Sequence, residues 1–385
     1  MNEIIYLDNN ATTKIDPRVL EAMMPFLTEE YGNAASNHEF GVEINQHVKK
    51  AREKIASLIG CETNEIIFTS GATEAINLAI KGVAGSYKDK GKNIVTCATE
   101  HPAVLDTCQY LETRGYEVTY LPVKKDGLLD LKMVKQSVRE DTLLVCVMLV
   151  NNETGVIQQI KEIAEIAHEK GVFFMTDGTQ AVGKMPADVN DLGIDLMSFS
   201  GHKFYGPKGV GALYVRSRRP NKVKLAALQH GGGHERNLRS GTLNVPGIVG
   251  FGKTSEIAKA EMSSDAERVG ELHNLLESEL LKLPETFLNG HKKQRLYNTS
   301  SMCFRGADAD AIMIGIKPIL VSNGSACTST KVEPSHVLKA LGLSDGEAYA
   351  TIRFSLGRFN TKDEIGKALE KMKQVVGRLR EMNCS

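Results

Sequence analysis

Tryptophan is absent from the 385 residues, and neither sign of charge is in excess, since 47 Lys and Arg balance 47 Asp and Glu. Such a balance creates no global field toward a polyanion, so neither direct nucleic-acid binding nor attraction to an anionic membrane is expected. Long apolar runs are also missing. The longest, Leu143 to Val150, falls far short of the ~20 residues a bilayer span requires. Glu3 stands where a signal peptide would be basic, which makes a cytoplasmic protein the expectation. Seven cysteines are scattered from Cys61 to Cys384 without any C-x-x-C pair, fitting neither a disulfide framework nor a zinc knuckle, so reduced thiols and no metal are expected. Two nucleotide signatures are lacking as well, G-x-G-x-x-G after the first strand and G-x-x-x-x-G-K-[ST].

What is present suits a sizeable globular chain with room for two or three domains: 42% hydrophobic and 24% charged residues, with 35 glycines for tight turns and close approaches. Through the first two thirds, short β-rich runs alternate with helical patterns. Strands are expected at 66–69, 93–97, 143–150, 172–175, 195–200 and 209–215, with helices at 73–81, from 102 and at 160–170. Strands separated by helix-length segments imply βαβ units, a mostly parallel sheet, and ligands at the carboxyl ends of its strands.

Beyond about residue 255 the pattern turns to long amphipathic helices. Val269, Leu272, Leu275, Leu276, Leu280 and Leu283 hold one apolar stripe, and Ile365, Leu369, Met372, Val375, Val376 and Leu379 another. Thr361-x-x-Glu364 opens the last helix as a capping box. A second, smaller domain packed closely on the first is expected there.

The chemistry gathers at strand ends. Ser198 to Gly211 ends a strand in a polar turn bearing Ser200, His202 and Lys203. A lone lysine there is usually a solvated surface residue. Asp177, however, follows another strand of the same sheet, and a lysine with a carboxylate at strand ends is the minimum for holding pyridoxal phosphate. Ser70-Gly71-Ala72-Thr73-Glu74 lies between strand and helix, where free N–H groups favour an anion, although such turns are common with nothing bound. His101 is placed to stack on a flat ring or shuttle protons, or to be a satisfied structural residue. Asn152 could hold a ring hydroxyl or simply form a turn. Cys327 sits among small polar residues from Ser322 to Thr330, a setting that suits an exposed nucleophilic thiol, whereas Cys146 lies in an apolar segment. Arg353, among apolar neighbours on a strand, wants a carboxylate, which a substrate or an internal Asp or Glu would satisfy equally.

Taken together, Tyr6 to Thr13, Tyr31-Gly32-Asn33, Ser70 to Glu74, Thr99-Glu100-His101, Val150 to Glu153, Asp177 to Gln180, Gly201-His202-Lys203, Gly231 to Arg236, Arg239 to Thr242, Gly324 to Ser329 and Arg353 to Leu356 resemble the cysteine desulfurase family. These are pyridoxal-phosphate enzymes of fold type I in the class V aminotransferase group, and the run around Cys327 resembles the long-loop NifS and IscS type. The resemblance implies an α/β fold with a mostly parallel central sheet covered on both faces. It also implies a large domain over 15–255, and a smaller α+β domain from 1–14 and 256–385 that carries Cys327. It implies that Lys203 forms the Schiff base, Asp177 pairs with the pyridine nitrogen, and His101 stacks on the ring and moves protons. Gln180 and Asn152 would meet the ring oxygen and substrate. Gly71, Ala72, Thr73, Ser200 and His202 would bind phosphate, joined by Thr242 from the other subunit of a homodimer. Arg353, helped by Asn33, would hold the substrate carboxylate. Cys327 would take sulfur from L-cysteine as a persulfide, leaving L-alanine, and pass it to a scaffold or sulfur-carrier protein for iron-sulfur cluster assembly, tRNA thiolation or DNA phosphorothioation. A selenocysteine lyase or another lyase or aminotransferase of the same fold is the alternative. Two departures from the family pattern stand out: Asn323 where Ser or Thr is common, and Gly315 with Pro318 interrupting the helix before the cysteine run.

Overall fold

The computed structural model describes residues 4–219, 221–323 and 333–384; Cys327 lies outside the described residues. Its strands, in chain order, are β1 (Ile5–Tyr6), β2 (Ile66–Thr69), β3 (Asn93–Cys97), β4 (Glu117–Leu121), β5 (Thr142–Cys146), β6 (Phe173–Asp177), β7 (Leu196–Ser200), β8 (Gly211–Val215), β9 (Thr286–Leu288), β10 (Thr299–Phe304), β11 (Ile319–Leu320) and β12 (Thr351–Ser355). Seven form one sheet in the order β2-β8-β7-β6-β5-β3-β4. β3 to β7 pair in parallel, while β8 runs antiparallel to both β7 and β2. Every residue of β2, β3, β5, β7 and β8 is buried, as a sheet covered by helices on both faces demands.

The expected α/β alternation is present, with shifted boundaries. The strand expected at 143–150 closes at Cys146, where β3 has also ended. Val147 and Leu149 still donate to the Met175 and Asp177 carbonyls at 3.0 Å, so the chain follows β6 on one side as it turns toward Asn152. Asp177 is the last residue of its strand rather than one beyond it. The helix after β2 is longer than expected, Ala72–Ser86.

A single helix, Val245–Leu280, runs without interruption through residue 255, and at ~1.5 Å per residue it is about 54 Å long. Its first half packs on helix Glu39–Ile59 so closely that a Cβ on Gly252 would come within 2.6 Å of Ala51 Cα. Its second half contributes Val269, Leu276 and Leu280 to an apolar cluster with Ile5, Leu7, Phe354, Ile365, Met372 and Val376. Both expected stripes are therefore packing faces, and that cluster is separate from the two that cover the seven-stranded sheet. Thr361 N donates to Glu364 Oε2 at 2.9 Å and Glu364 N to Thr361 Oγ1 at 3.3 Å, closing the capping box of helix Lys362–Cys384.

Candidate active site

The carboxyl ends of β2, β3, β5, β6 and β7 open on one cavity of ≈ 700 Å³, the size and placement expected of a ligand site in such a sheet. Gly71, Ala72, Thr73, His101, Asn152, Asp177, Gln180, Ser200, His202, Lys203 and Arg353 all line it. Residues as far apart in sequence as Gly71 and Arg353 thus meet because all but one end or follow a strand of one sheet, with Arg353 contributed by β12 of another. Two of the expected residues among those the structure describes are not part of the lining. Asn33 is exposed and caps the Ala35 N–H at 2.9 Å, and Thr242 is exposed beside the Arg239–Glu74 ion pair of 2.7 Å, which ties its segment to the Gly71 turn.

Lys203 Nζ donates to the backbone carbonyls of Asn10 at 2.7 Å and Ala11 at 2.9 Å. Desolvation, reinforced by the Arg353 charge, pulls its pKa down to about 8 against the opposing pull of Asp177 and Asp8. Asp177 is buried and accepts from Thr179 N at 2.9 Å. His202 Nδ1 meets Thr12 Oγ1 at 3.1 Å, and desolvation with the charges of Lys203, Lys208 and Lys184 lowers its pKa to about 4. It is therefore neutral at pH 7. His101 caps helix Pro102–Glu112, with Nδ1 accepting from Ala103 N at 3.1 Å, which leaves the proton of the neutral ring on Nε2. Desolvation lowers its pKa too.

Arg353 is buried, and its guanidinium pairs with Asp8 Oδ1 at 2.7 Å and the Asn152 carbonyl at 3.0 Å. The partner that sequence left open is thus an internal carboxylate in this structure. Asp8, Asn10 and His336 line the cavity, Glu100 and Lys184 are hydrogen-bonded to the lining residues Met148 and Gln180, and none of the five is assigned a role from sequence alone. The Tyr6 to Thr13 motif flagged the first two, whereas nothing local marks Lys184 as buried. Glu100 is wholly buried, accepts from Met148 N at 2.6 Å, and is held well above the usual carboxylate range by desolvation. His336 Nε2 contacts the Glu100 carbonyl at 2.9 Å.

The donor set fits pyridoxal phosphate. The first N–H groups of helix Ala72–Ser86 lack intrahelical partners by construction and face the anion end with Ser200 and neutral His202. A Cβ on Gly71 would project to 3.8 Å from Ser200 Oγ and meet nothing else within 4 Å, so the glycine leaves that cradle open. Asn10 Oδ1, Thr179 Oγ1 and Arg353 Nε, all on lining residues, are buried without a hydrogen-bond partner, the pattern of polar groups awaiting a ligand.

Comparisons with known proteins agree with the geometry. The aminotransferase class-V family model matches residues 5–367. The protein named cysteine desulfurase IscS from Pectobacterium carotovorum subsp. carotovorum (strain PC1) is 51% identical over 98% of this chain and 94% of its own length. Its namesake from Escherichia coli (strain K12 / DH10B) is 50% identical with the same coverage. Among solved structures, a NifS-like protein superposes with a TM-score of 0.91 at 40% identity, covering 98% of this chain and all of the other. A structure described as SspA in complex with cysteine gives 0.82 at 37%, covering 93% and 100%.

Proposed function

Because the chain belongs to the aminotransferase class-V family, we infer that its cavity holds pyridoxal phosphate and that the protein is a cysteine desulfurase. The observation that carries this reading is the convergence of Lys203, Asp177 and the Gly71 cradle in one cavity of a chain 50–51% identical to IscS desulfurases over nearly its whole length. The substrate is L-cysteine and the carbon product L-alanine.

When bound, pyridoxal phosphate supplies an electron sink for the substrate's α-carbon. The protein's own groups do the rest. Gly71, Ala72, Thr73, Ser200 and His202 hold the phosphate, and Asp177 keeps the pyridine nitrogen protonated. With a pKa near 8, Lys203 is roughly one-tenth neutral at pH 7, far more than an ordinary lysine, so its amine would be the group that holds the cofactor and moves the substrate's α-proton. His101, neutral and protonated on Nε2, is positioned to donate at that nitrogen and to cover the ring. Asn152 and Gln180 meet the ring oxygen and substrate, and Arg353 takes the substrate carboxylate. Cys327, as thiolate, receives the sulfur as a persulfide.

Thr242, exposed and anchored through Arg239, supports a homodimer in which it reaches the partner's phosphate cradle. Asn33 would help Arg353 hold the substrate carboxylate. The separate apolar cluster around Val269 and Phe354 supports a smaller domain from 1–14 and 256–385 beside 15–255, joined through the helix that crosses residue 255. Free Cys61, Cys97, Cys108, Cys146 and Cys303 suit a reducing cytoplasm, and no helix among the described residues is long and apolar enough to cross a membrane. The sulfur passes to an acceptor protein serving iron-sulfur cluster assembly or thiolation.

The test is alanine formation from L-cysteine by the purified, cofactor-loaded protein beside Cys327→Ala. Alanine from the parent and persulfide lost in the variant is the expected result. Equal sulfur transfer from both would remove Cys327 from its role, and no alanine from the loaded parent would overturn the reaction.

A further inference from the structure

Lys184 is 3% exposed. Lysines are almost never buried without a carboxylate partner, yet no carboxylate among the described residues pairs with this one. Its surroundings are cationic: Lys203 and Arg353 both act on it, and desolvation leads them in lowering its pKa to about 7. Its hydrogen-bond partner is neutral, with Nζ donating to Gln180 Oε1 at 2.8 Å. At the other end of that amide, Gln180 Nε2 donates to the Asn10 carbonyl at 3.0 Å, the same carbonyl that accepts from Lys203 Nζ at 2.7 Å.

While Lys184 is protonated, the two ends of the Gln180 amide are therefore held by groups that cannot exchange roles. An ammonium has no acceptor, so it faces Oε1, and a backbone carbonyl has no donor, so it faces Nε2. Only one flip of the amide satisfies both. The second N–H of Nε2 is thereby left for the cavity that Gln180 lines, and the cavity meets a donor rather than an acceptor.

We propose that Lys184 is a positioning residue that locks the Gln180 amide so that its N–H, and not its carbonyl, is offered to the anionic ring oxygen of pyridoxal phosphate. This rests on the pyridoxal phosphate reading and adds a residue to it. Without Lys184, only the Asn10 carbonyl still disfavours the flipped amide, which would set Oε1 against that carbonyl and against the ring oxygen. A buried lysine without a carboxylate is thus retained because its protonated form gives the amide a donor on one side.

The cofactor and its 3-deoxy analogue, which lacks only the ring oxygen, separate this role from simple packing. Cofactor-free Lys184→Met is titrated with each, and thermal melting monitors folding. Binding of pyridoxal phosphate should weaken about ten- to hundredfold, the range for a hydrogen bond to a charged group, while the 3-deoxy analogue binds as it does to the unmodified protein. Gln180→Ala should weaken pyridoxal phosphate similarly, and adding Lys184→Met to it should cost little more, because the two act as one unit. Equal weakening of both ligands, additive losses, or no loss would each overturn the proposal while leaving the cofactor reading intact. Failure of the unmodified protein to bind either ligand would overturn both. If Lys184→Met does not fold, Lys184→Gln, which can present either end of its own amide, is measured with the same two ligands under the same criteria.

Discussion

Asp8 Oδ1 lies 2.7 Å from Arg353 Nη2, across 345 residues of sequence, so the guanidinium expected to bind a substrate carboxylate already has one. Asp8 precedes the Asn10 and Ala11 carbonyls that receive Lys203, and Arg353 also donates to the Asn152 carbonyl at 3.0 Å. The N-terminal segment, the chain beyond β5 and β12 are thus held together on one side of the cavity. Arg353 Nε remains buried without a partner. An incoming carboxylate can use Nε at once, but a bidentate grip requires it to share or displace Asp8.

That competition predicts opposite effects at the two positions. Arg353→Lys loses the fork geometry and should raise KM for L-cysteine about tenfold or more with a smaller change in kcat, as expected for lost substrate binding. Asp8→Asn keeps an acceptor but removes the competing negative charge, and should lower KM several-fold, roughly 1 kcal/mol. Steady-state kinetics on the loaded enzyme decide it, and a raised KM in Asp8→Asn would show that Asp8 supports the carboxylate site rather than competing for it.

The depressed basicity of Lys203 predicts how cofactor capture depends on pH. Its folded pKa of about 8 lies below the usual lysine value, so the reactive neutral amine grows as pH rises and is half formed near pH 8 rather than above pH 10. The rate at which cofactor-free protein takes up pyridoxal phosphate should climb to an inflection near 8. Lys203→Ala should bind the cofactor reversibly and release it on gel filtration.

The sheet and most of the cavity lining were legible because their signals are local: an apolar β run followed by a turn of small and polar residues marks a strand end, and Lys203, Asp177, His101 and Thr73 all sit at one. The Lys184 site was not legible, since a lysine seven residues past a strand reads as solvated until tertiary packing buries it. The partner of Arg353 was likewise open, because nothing local at Asp8 points to a strand 345 positions away. The helix through residue 255 hid for another reason. Around Ile248, Phe251 and Ala258 it buries against the sheet domain, and from Val269 it buries a different face against the smaller cluster, so no single stripe persists along it.

Asp16 joins these parts and gives a stability prediction. It is buried, caps helix Pro17–Met23, and pairs with Arg18 and Arg358, each at 2.8 Å, while Arg358 also holds Asp265 at 2.7 Å. Bonding to Arg18, the leading cause, brings its pKa to about 2. A folded value below the unfolded one means the contribution is complete above about pH 4 and disappears as pH falls toward 2. Asp16→Asn keeps a good cap but loses the charge, and should cost about 1 kcal/mol at pH 7 once screening at the half-exposed Arg18 is counted. Denaturant melts of both proteins should converge near pH 2; a gap that persists there would trace the loss to packing instead.

Gly71 allows the phosphate cradle to be tested apart from the fold. Its backbone is extended, and a Cβ there would lie 3.8 Å from Ser200 Oγ with no other neighbour within 4 Å, so alanine introduces neither strain nor a clash with the protein. The added methyl instead occupies the space between the helix N–H groups and Ser200, where a phosphate must approach the backbone closely. Gly71→Ala should therefore melt within a few degrees of the parent while its affinity for pyridoxal phosphate falls about tenfold or more. Pyridoxal without the phosphate should bind parent and variant alike, because Lys203 and Asp177 are untouched. A variant that loses both ligands equally would mean that the methyl disturbs the ring site. One that loses neither would place the phosphate elsewhere in the cavity.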